Sequence, residues 1–224
     1  MTSKFLPVLA LATAGFVYGA DAIDRLPVAA EVFKEVMSTP DKAIPQDLLA
    51  KAQCVVIVPG LKKGAFIVGG KYGRGFVECR KNGGVGWSAP GSIRVEGGSF
   101  GFQIGGAEVD VIMLVMNERG VNRLFGSKFT LGGDASVAAG PVGRTASAET
   151  DAAMTAEILT WSRTRGLFAG ISLNGATLRP DEDWNRELYG RKIKLKEILV
   201  TGELKAPDSA RGLIEELNRY SSRK

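Results

Sequence analysis

The chain of 224 residues, 45% hydrophobic and 24% charged, is long enough for one sizeable core and has neither the polarity of a disordered chain nor the apolar runs of a polytopic membrane protein. It contains no histidine, which excludes His-dependent catalytic triads and His-ligated metals, and its net charge of +5 suits an anionic partner. Glycine is over-represented at 29 residues, 15 of them between Gly60 and Gly106, so that region reads as short strands, turns and bulges rather than helix.

In chain order, Lys4 and the uncharged run Phe5 to Ala20 read as a secretory signal peptide over residues 1–22, cleaved after Gly19 or Ala22; a buried N-terminal helix or an uncleaved anchor is the alternative. The leader predicts an exported protein of a bacterial periplasm or cell envelope, soluble or peripherally membrane-associated. Residues 23–53 form a helical segment: a first helix capped by Asp24, with Pro27 in its first turn and Leu26, Ala30, Phe33 and Met37 on one stripe, then a short helix from Pro45 to Ala52. From Cys54 the period changes. CVVIV, GAFIVGG, GRGFVECR, GGVGWSA, SIRVEGG, SFGFQIGG and AEVDVIMLVM read as strands whose short connections favour antiparallel pairing. NERGVNRLFG reads as a helix, FTLGGDASVAAGPVG as extended chain, AEILTWSR, LFAGISL and ATLRP as strands, and PDEDWNRELYG as a helix begun at Pro180. Residues 191–224 form a basic extension whose helix opens at Pro207, with Ala210, Leu213, Ile214 and Leu217 on one face. The fold class is α+β: a single domain with a glycine-rich, mainly antiparallel twisted sheet, barrel- or sandwich-like, plus N-terminal and C-terminal helices.

Each candidate for small-molecule chemistry fails on spacing. In GAFIVGGKYGRG the positions of the first glycine and the hydroxyl of a phosphate-binding loop hold Ala65 and Tyr72, and strand rather than helix follows. The dinucleotide pattern from Gly73 ends on Glu78 instead of its third glycine. In GWSAPG, Ser88 lacks both the second glycine of a nucleophile elbow and a base to activate it. DEDWN begins like a calcium loop, but Arg186 and Lys192 occupy the turn-glycine and closing-glutamate positions. Asp110 and Asp151 read as hydrogen-bonded structural carboxylates.

Cations, by contrast, are clustered. Lys62, Lys63, Lys71, Arg74, Arg80 and Lys81 lie against the lone Glu78, and hairpin geometry gathers several of them at one end of a sheet, where they can meet phosphate oxygens. A second cluster, Arg191, Lys192 and Lys194 in RKIKLK, alternates cation with aliphatic residue, as a segment lying on lipid would. Solvated strand edges protected by lysine are the plain alternative for both. The basic stretches lack interleaved aromatics, which argues against nucleic acid. Cys54 and Cys79 either form a disulfide in an oxidising compartment or remain two buried thiols.

VVIVPGLKKGAFIVGGKYGRG, GWSAPGSIRVEGGSFGFQIGG, DVIMLVMNERGVNRL, LGGDASVAAGPVGR and GLFAGISLNG, in that order, resemble the SYLF domain family. The resemblance covers about residues 54–190 and implies an α+β domain that binds anionic lipids, phosphoinositides in eukaryotic members, with actin binding in some fungal ones. The expected function is therefore non-enzymatic, cofactor-free, peripheral binding of anionic phospholipid headgroups. An envelope scaffold or protein-interaction module is the alternative, and an enzyme using Asp151 and Asp183 is the least supported reading.

Overall fold

The computed structural model describes residues 21–39, 43–65, 69–81, 84–99, 105–143, 155–164, 167–201 and 203–221. The expected leader up to residue 20, Asp151, and the central parts of GAFIVGG and SFGFQIGG lie outside these residues. The described chain is α+β. Its strands are β1 (Cys54–Ala65), β2 (Gly69–Cys79), β3 (Gly91–Ser99), β4 (Gly105–Val115), β5 (Phe129–Thr130), β6 (Val137–Ala139), β7 (Ile158–Thr164), β8 (Leu167–Gly170) and β9 (Thr177–Pro180). They form one sheet in the order β5-β9-β3-β2-β1-β4-β7-β6, with β8 also on β7; every pairing is antiparallel except β6 with β7. The helices are α1 (Ala22–Ser38), α2 (Gln46–Lys51), α3 (Glu118–Leu124), α4 (Glu182–Tyr189), α5 (Leu195–Val200) and α6 (Arg211–Ser221), the last preceded by a 3₁₀ turn at Asp208–Ala210.

Both faces of the sheet are covered, because the central strands are apolar on both sides. Val55, Ile57, Phe76, Ile112, Leu114, Leu159 and Trp161 point to α1, α2, α4 and α6. Val56, Val58, Val77, Val95, Val111 and Met113 point the other way, to α3, α5 and the chain around β5 and β9. We call these the first and second faces. α5 and α6 bury Ile198, Leu199, Leu213 and Leu217, so the C-terminal segment packs onto the sheet.

Four sequence expectations are corrected. The cap of α1 is Asp21, whose carboxylate accepts the Asp24 N–H at 3.1 Å, so the helix starts one turn early and Pro27 lies in its second turn. This earlier start buries Ala22, whose N–H donates to Glu187 of α4. CVVIV and the following glycine-rich segment are one long strand, β1, because a bulge at Pro59-Gly60 absorbs the turn residues. GGVGWSA makes only an isolated bridge, Arg80 to Trp87: Trp87 is buried, and its indole N–H donates to the Ser221 hydroxyl at the end of α6. RKIKLK is irregular up to Lys194 and then enters α5; Ile193 and Leu195, the aliphatic side expected to face lipid, are buried in the core.

Cys54 and Cys79 are directly opposed in the β1–β2 register and joined as a disulfide, 25 residues apart in sequence. Closing a loop of that length stabilises the fold by about 3 kcal/mol in the chain-entropy account. Reduction with dithiothreitol is therefore expected to lower the urea midpoint by that equivalent, and an unchanged midpoint in the reduced protein counts against the bond.

Candidate functional site

The far end of β1 and β2 is shaped by the bulge. Gly60 adopts φ +60°, and a Cβ there would fall on the Glu108 carboxylate. After it Leu61 points to the second face, as Val58 does, so Lys62 turns to the first face and Lys63 to the second. The bulge also leans over β2: a Cβ on Gly75 would lie 2.2 Å from the Ile57 carbonyl oxygen, and one on Gly73 would lie 2.6 Å from Leu61. The glycines of GKYGRG thus permit close strand approach. No helix follows them to complete a phosphate-binding loop.

On the first face, Lys62 pairs in register with Tyr72 and Glu108, and Tyr72 with Glu96. On the second face, Lys63 stands opposite Lys71. Burial first, and the neighbouring Lys71 ammonium second, push the Lys63 amine below the usual lysine range. No ion pair holds Lys62, Lys63 or Lys71 among the described residues.

The other predicted cations go elsewhere. Arg74 lies on the first face, where its Nε and Nη2 donate to the Asp181 carboxylate at 2.5 and 2.9 Å and its guanidinium stacks 4.3 Å over Trp184. It stands in a row with Arg94 and Arg179 on the next two strands. Asp181 accepts from Arg94 as well, and Glu96 pairs with Arg179 at 2.7 Å. Arg80 donates to the carbonyls of Leu49, Ala52 and Ser221 and stacks 4.1 Å from Trp87, closing the C-terminal ends of α2 and α6. Lys81 is exposed at the opposite end of β2, ten residues or about 33 Å from Lys71. Arg191 pairs with Glu197 at 2.8 Å, while Lys192 and Lys194 are exposed on the connection between α4 and α5. The nine cations do not form one surface; the structure brings together Lys63 and Lys71, with Lys62 beside them on the reverse side.

A second basic region is not visible in the sequence. Two adjoining depressions of about 450 and 610 Å³ run beside α3 and α5 and share Gly126. Arg119 and Lys128 border the first, and Lys194 and Lys196 the second, with the Lys196 amine 5.9 Å from the Phe125 ring. Lys194 and Lys196 belong to the run RKIKLK, but Arg119 and Lys128 are up to 77 residues from them in sequence, so no local run announces the combination. Two of the rejected catalytic candidates have structural partners: Ser88 is buried, with its hydroxyl donating to the Ala89 carbonyl, and Asp110 accepts from the Gly60 N–H and from Arg163. Among the described residues, no group of three or more acidic or cysteine side chains could hold a metal, and no helix is long and apolar enough to cross a membrane.

Comparison with known proteins settles the ancestry of this sheet. Residues 96–220 match the family model Ysc84, described as "Las17-binding protein actin regulator". The chain belongs to the SYLF (Ysc84) family. It is 38% identical over 202 residues to "SH3 domain-containing YSC84-like protein 1" of Xenopus laevis, covering 87% of this chain and 59% of that protein. The human protein of the same name is 36% identical over 194 residues, covering 85% and 56%. "Protein YSC84" of Saccharomyces cerevisiae is 35% identical over 181 residues, covering 79% and 38%. The chain thus spans about half the length of the curated vertebrate relatives it matches, and these SYLF-family relatives are eukaryotic.

Proposed function

We propose that this SYLF-family protein binds the anionic headgroups of a lipid surface peripherally and without catalysis, through Lys63 and Lys71, in the envelope to which its N-terminal sequence would deliver it; Lys62 faces the other side of the sheet. The observation that carries this reading is the opposed Lys63–Lys71 pair. Two cations on adjacent strands of one face, with no carboxylate to balance them among the described residues, are destabilising until an anion joins them. Arg74, Arg80 and Arg191 drop out of the binding set, since each is engaged within the protein. Lys81 stands at the opposite end of β2, and Lys192 and Lys194 lie on the connection between α4 and α5, outside the β1–β2 pair.

Sedimentation with phosphatidylcholine or phosphatidylglycerol vesicles tests the proposal. Preferential binding to phosphatidylglycerol is expected, and charge reversal of Lys63 and Lys71 is expected to weaken it by about 1 kcal/mol per lysine, roughly fivefold each. Equal binding to both vesicle types at physiological salt rejects the reading.

A protein partner is the second reading. It is favoured by the basic depressions beside α3 and α5 and by the family description, which names a Las17-binding actin regulator. Capture of a protein partner that survives high salt and delipidation and is lost on reversing Lys128 and Lys196 would favour it over the lipid reading.

A further inference from the structure

Lys63 and Lys71 face each other across β1 and β2, and among the described residues of the neighbouring strands no other charged group lies on the same side. β3 contributes Val95 and Gly97 there, β4 contributes Val109, and β1 and β2 themselves contribute Leu61 and Gly73. Glu96 and Glu108, the nearest acids by register, belong to the opposite face. Directly opposed side chains on adjacent strands leave the backbone only about 5 Å apart, a separation at which like charges repel. Half-burial of Lys63 also removes part of the hydration that would offset that repulsion. Both effects favour its free amine, which is the nucleophilic form, while Lys63 keeps a route to solvent.

We propose that Lys63 is a covalent modification site, whose ε-amine adds to the carbonyl carbon of small aldehydes bearing a negative charge, with the Lys71 ammonium as its partner. The nitrogen lone pair forms the C–N bond as the carbonyl oxygen takes a proton from Lys71. The nitrogen then returns a proton to Lys71, leaving a neutral carbinolamine. Protonation and departure of the hydroxyl as water give the imine, so that amine and aldehyde yield imine and water with no oxidant or reductant. The Lys71 charge also attracts an anionic aldehyde in preference to a neutral one. Amine addition uses the lysine pair of the lipid reading but does not depend on it, because it proceeds without vesicles.

The test uses the whole protein with limiting pyridoxal 5′-phosphate, an aldehyde and a phosphate in one molecule, followed by borohydride reduction and peptide mapping. Lys63 is expected to carry most of the label at pH 7.5. Lys62, one residue away and more exposed, serves as the internal comparison. Lys71→Met is expected to cut Lys63 labelling roughly fivefold, the upper range for a cross-strand charge interaction, whereas Lys71→Arg retains the advantage over Lys62. Propionaldehyde, which is uncharged, is expected to label Lys63 less. Label on Lys62 equal to or above that on Lys63, or unchanged Lys63 labelling in Lys71→Met, overturns the proposal. Failure of vesicle binding leaves this result untouched, and the reverse also holds.

Discussion

Replacing Asp181 with alanine is expected to destabilise the protein by about 4 kcal/mol, because it strips the shared counter-charge from two partly buried arginines. Asp181 is fully buried and is the shared acceptor of Arg74 and Arg94, while its carboxylate also caps α4 by accepting the Trp184 N–H. Its loss leaves three arginines, Arg74, Arg94 and Arg179, side by side on adjacent strands with, among the described residues, Asp183 and Glu96 to balance them. Burial alone would raise the Asp181 carboxyl, but the hydrogen bonds from Arg74 and Arg94 outweigh it and hold the group below the usual aspartate range. The stabilisation is therefore present above the ordinary aspartate value of about 3.9 and lost as pH falls through the lower folded value. Urea denaturation at pH 7 measures the loss; a shift below about 1 kcal/mol would show that the arginine row tolerates its own repulsion.

Glu78→Gln is expected to act in the opposite direction, stabilising the protein at pH 8 by about 2 kcal/mol. Glu78 is 1% exposed on the first face, and neither of its carboxyl oxygens has a hydrogen-bond partner. The Ser92 hydroxyl and the Asn185 amide nitrogen are also buried without partners, and Ser92 lies on the strand next to Glu78. Desolvation pushes the Glu78 carboxyl well above its ordinary value, so the folded state retains a proton that the unfolded chain has released. Its contribution is fully present below about pH 4.5 and is lost as pH rises through the folded value. Glutamine preserves the shape of the protonated acid and cannot ionise. The variant and parent should converge at pH 4.5 and separate as the pH rises; parallel stability curves across that range would show that Glu78 does not titrate within it.

The strands are legible in the sequence because glycine pairs and the two-residue period mark them, and the disulfide is one of two open readings there because Cys54 and Cys79 both lie in strand-like runs whose pairing only the register reveals. What the sequence conceals depends on distance along the chain. Arg74 reads as a free hairpin cation until Asp181, 107 residues away, is placed beneath it. Arg80 likewise finds its carbonyl partners at the ends of two helices, one of them 141 residues on. RKIKLK shows how local alternation misleads, since Ile193 and Leu195 serve the core while Lys192, Lys194 and Lys196 are exposed. The candidate pair itself is only half visible. Lys63 and Lys71 stand among nine clustered cations, and nothing in composition distinguishes them from Lys62 or Lys81 until the register is known.

That register turns on the irregularity at Pro59-Gly60. A strand is a two-stroke device in which odd and even positions serve different customers, and one supernumerary residue exchanges them from there onward. The apolar half of β1 obeys one parity and its lysine-bearing half the other, so Lys63 meets Lys71 rather than the tyrosine side of the sheet. Shortening the chain by a single residue at that point would leave the inventory of charges almost untouched while reversing which amine each half of the molecule displays.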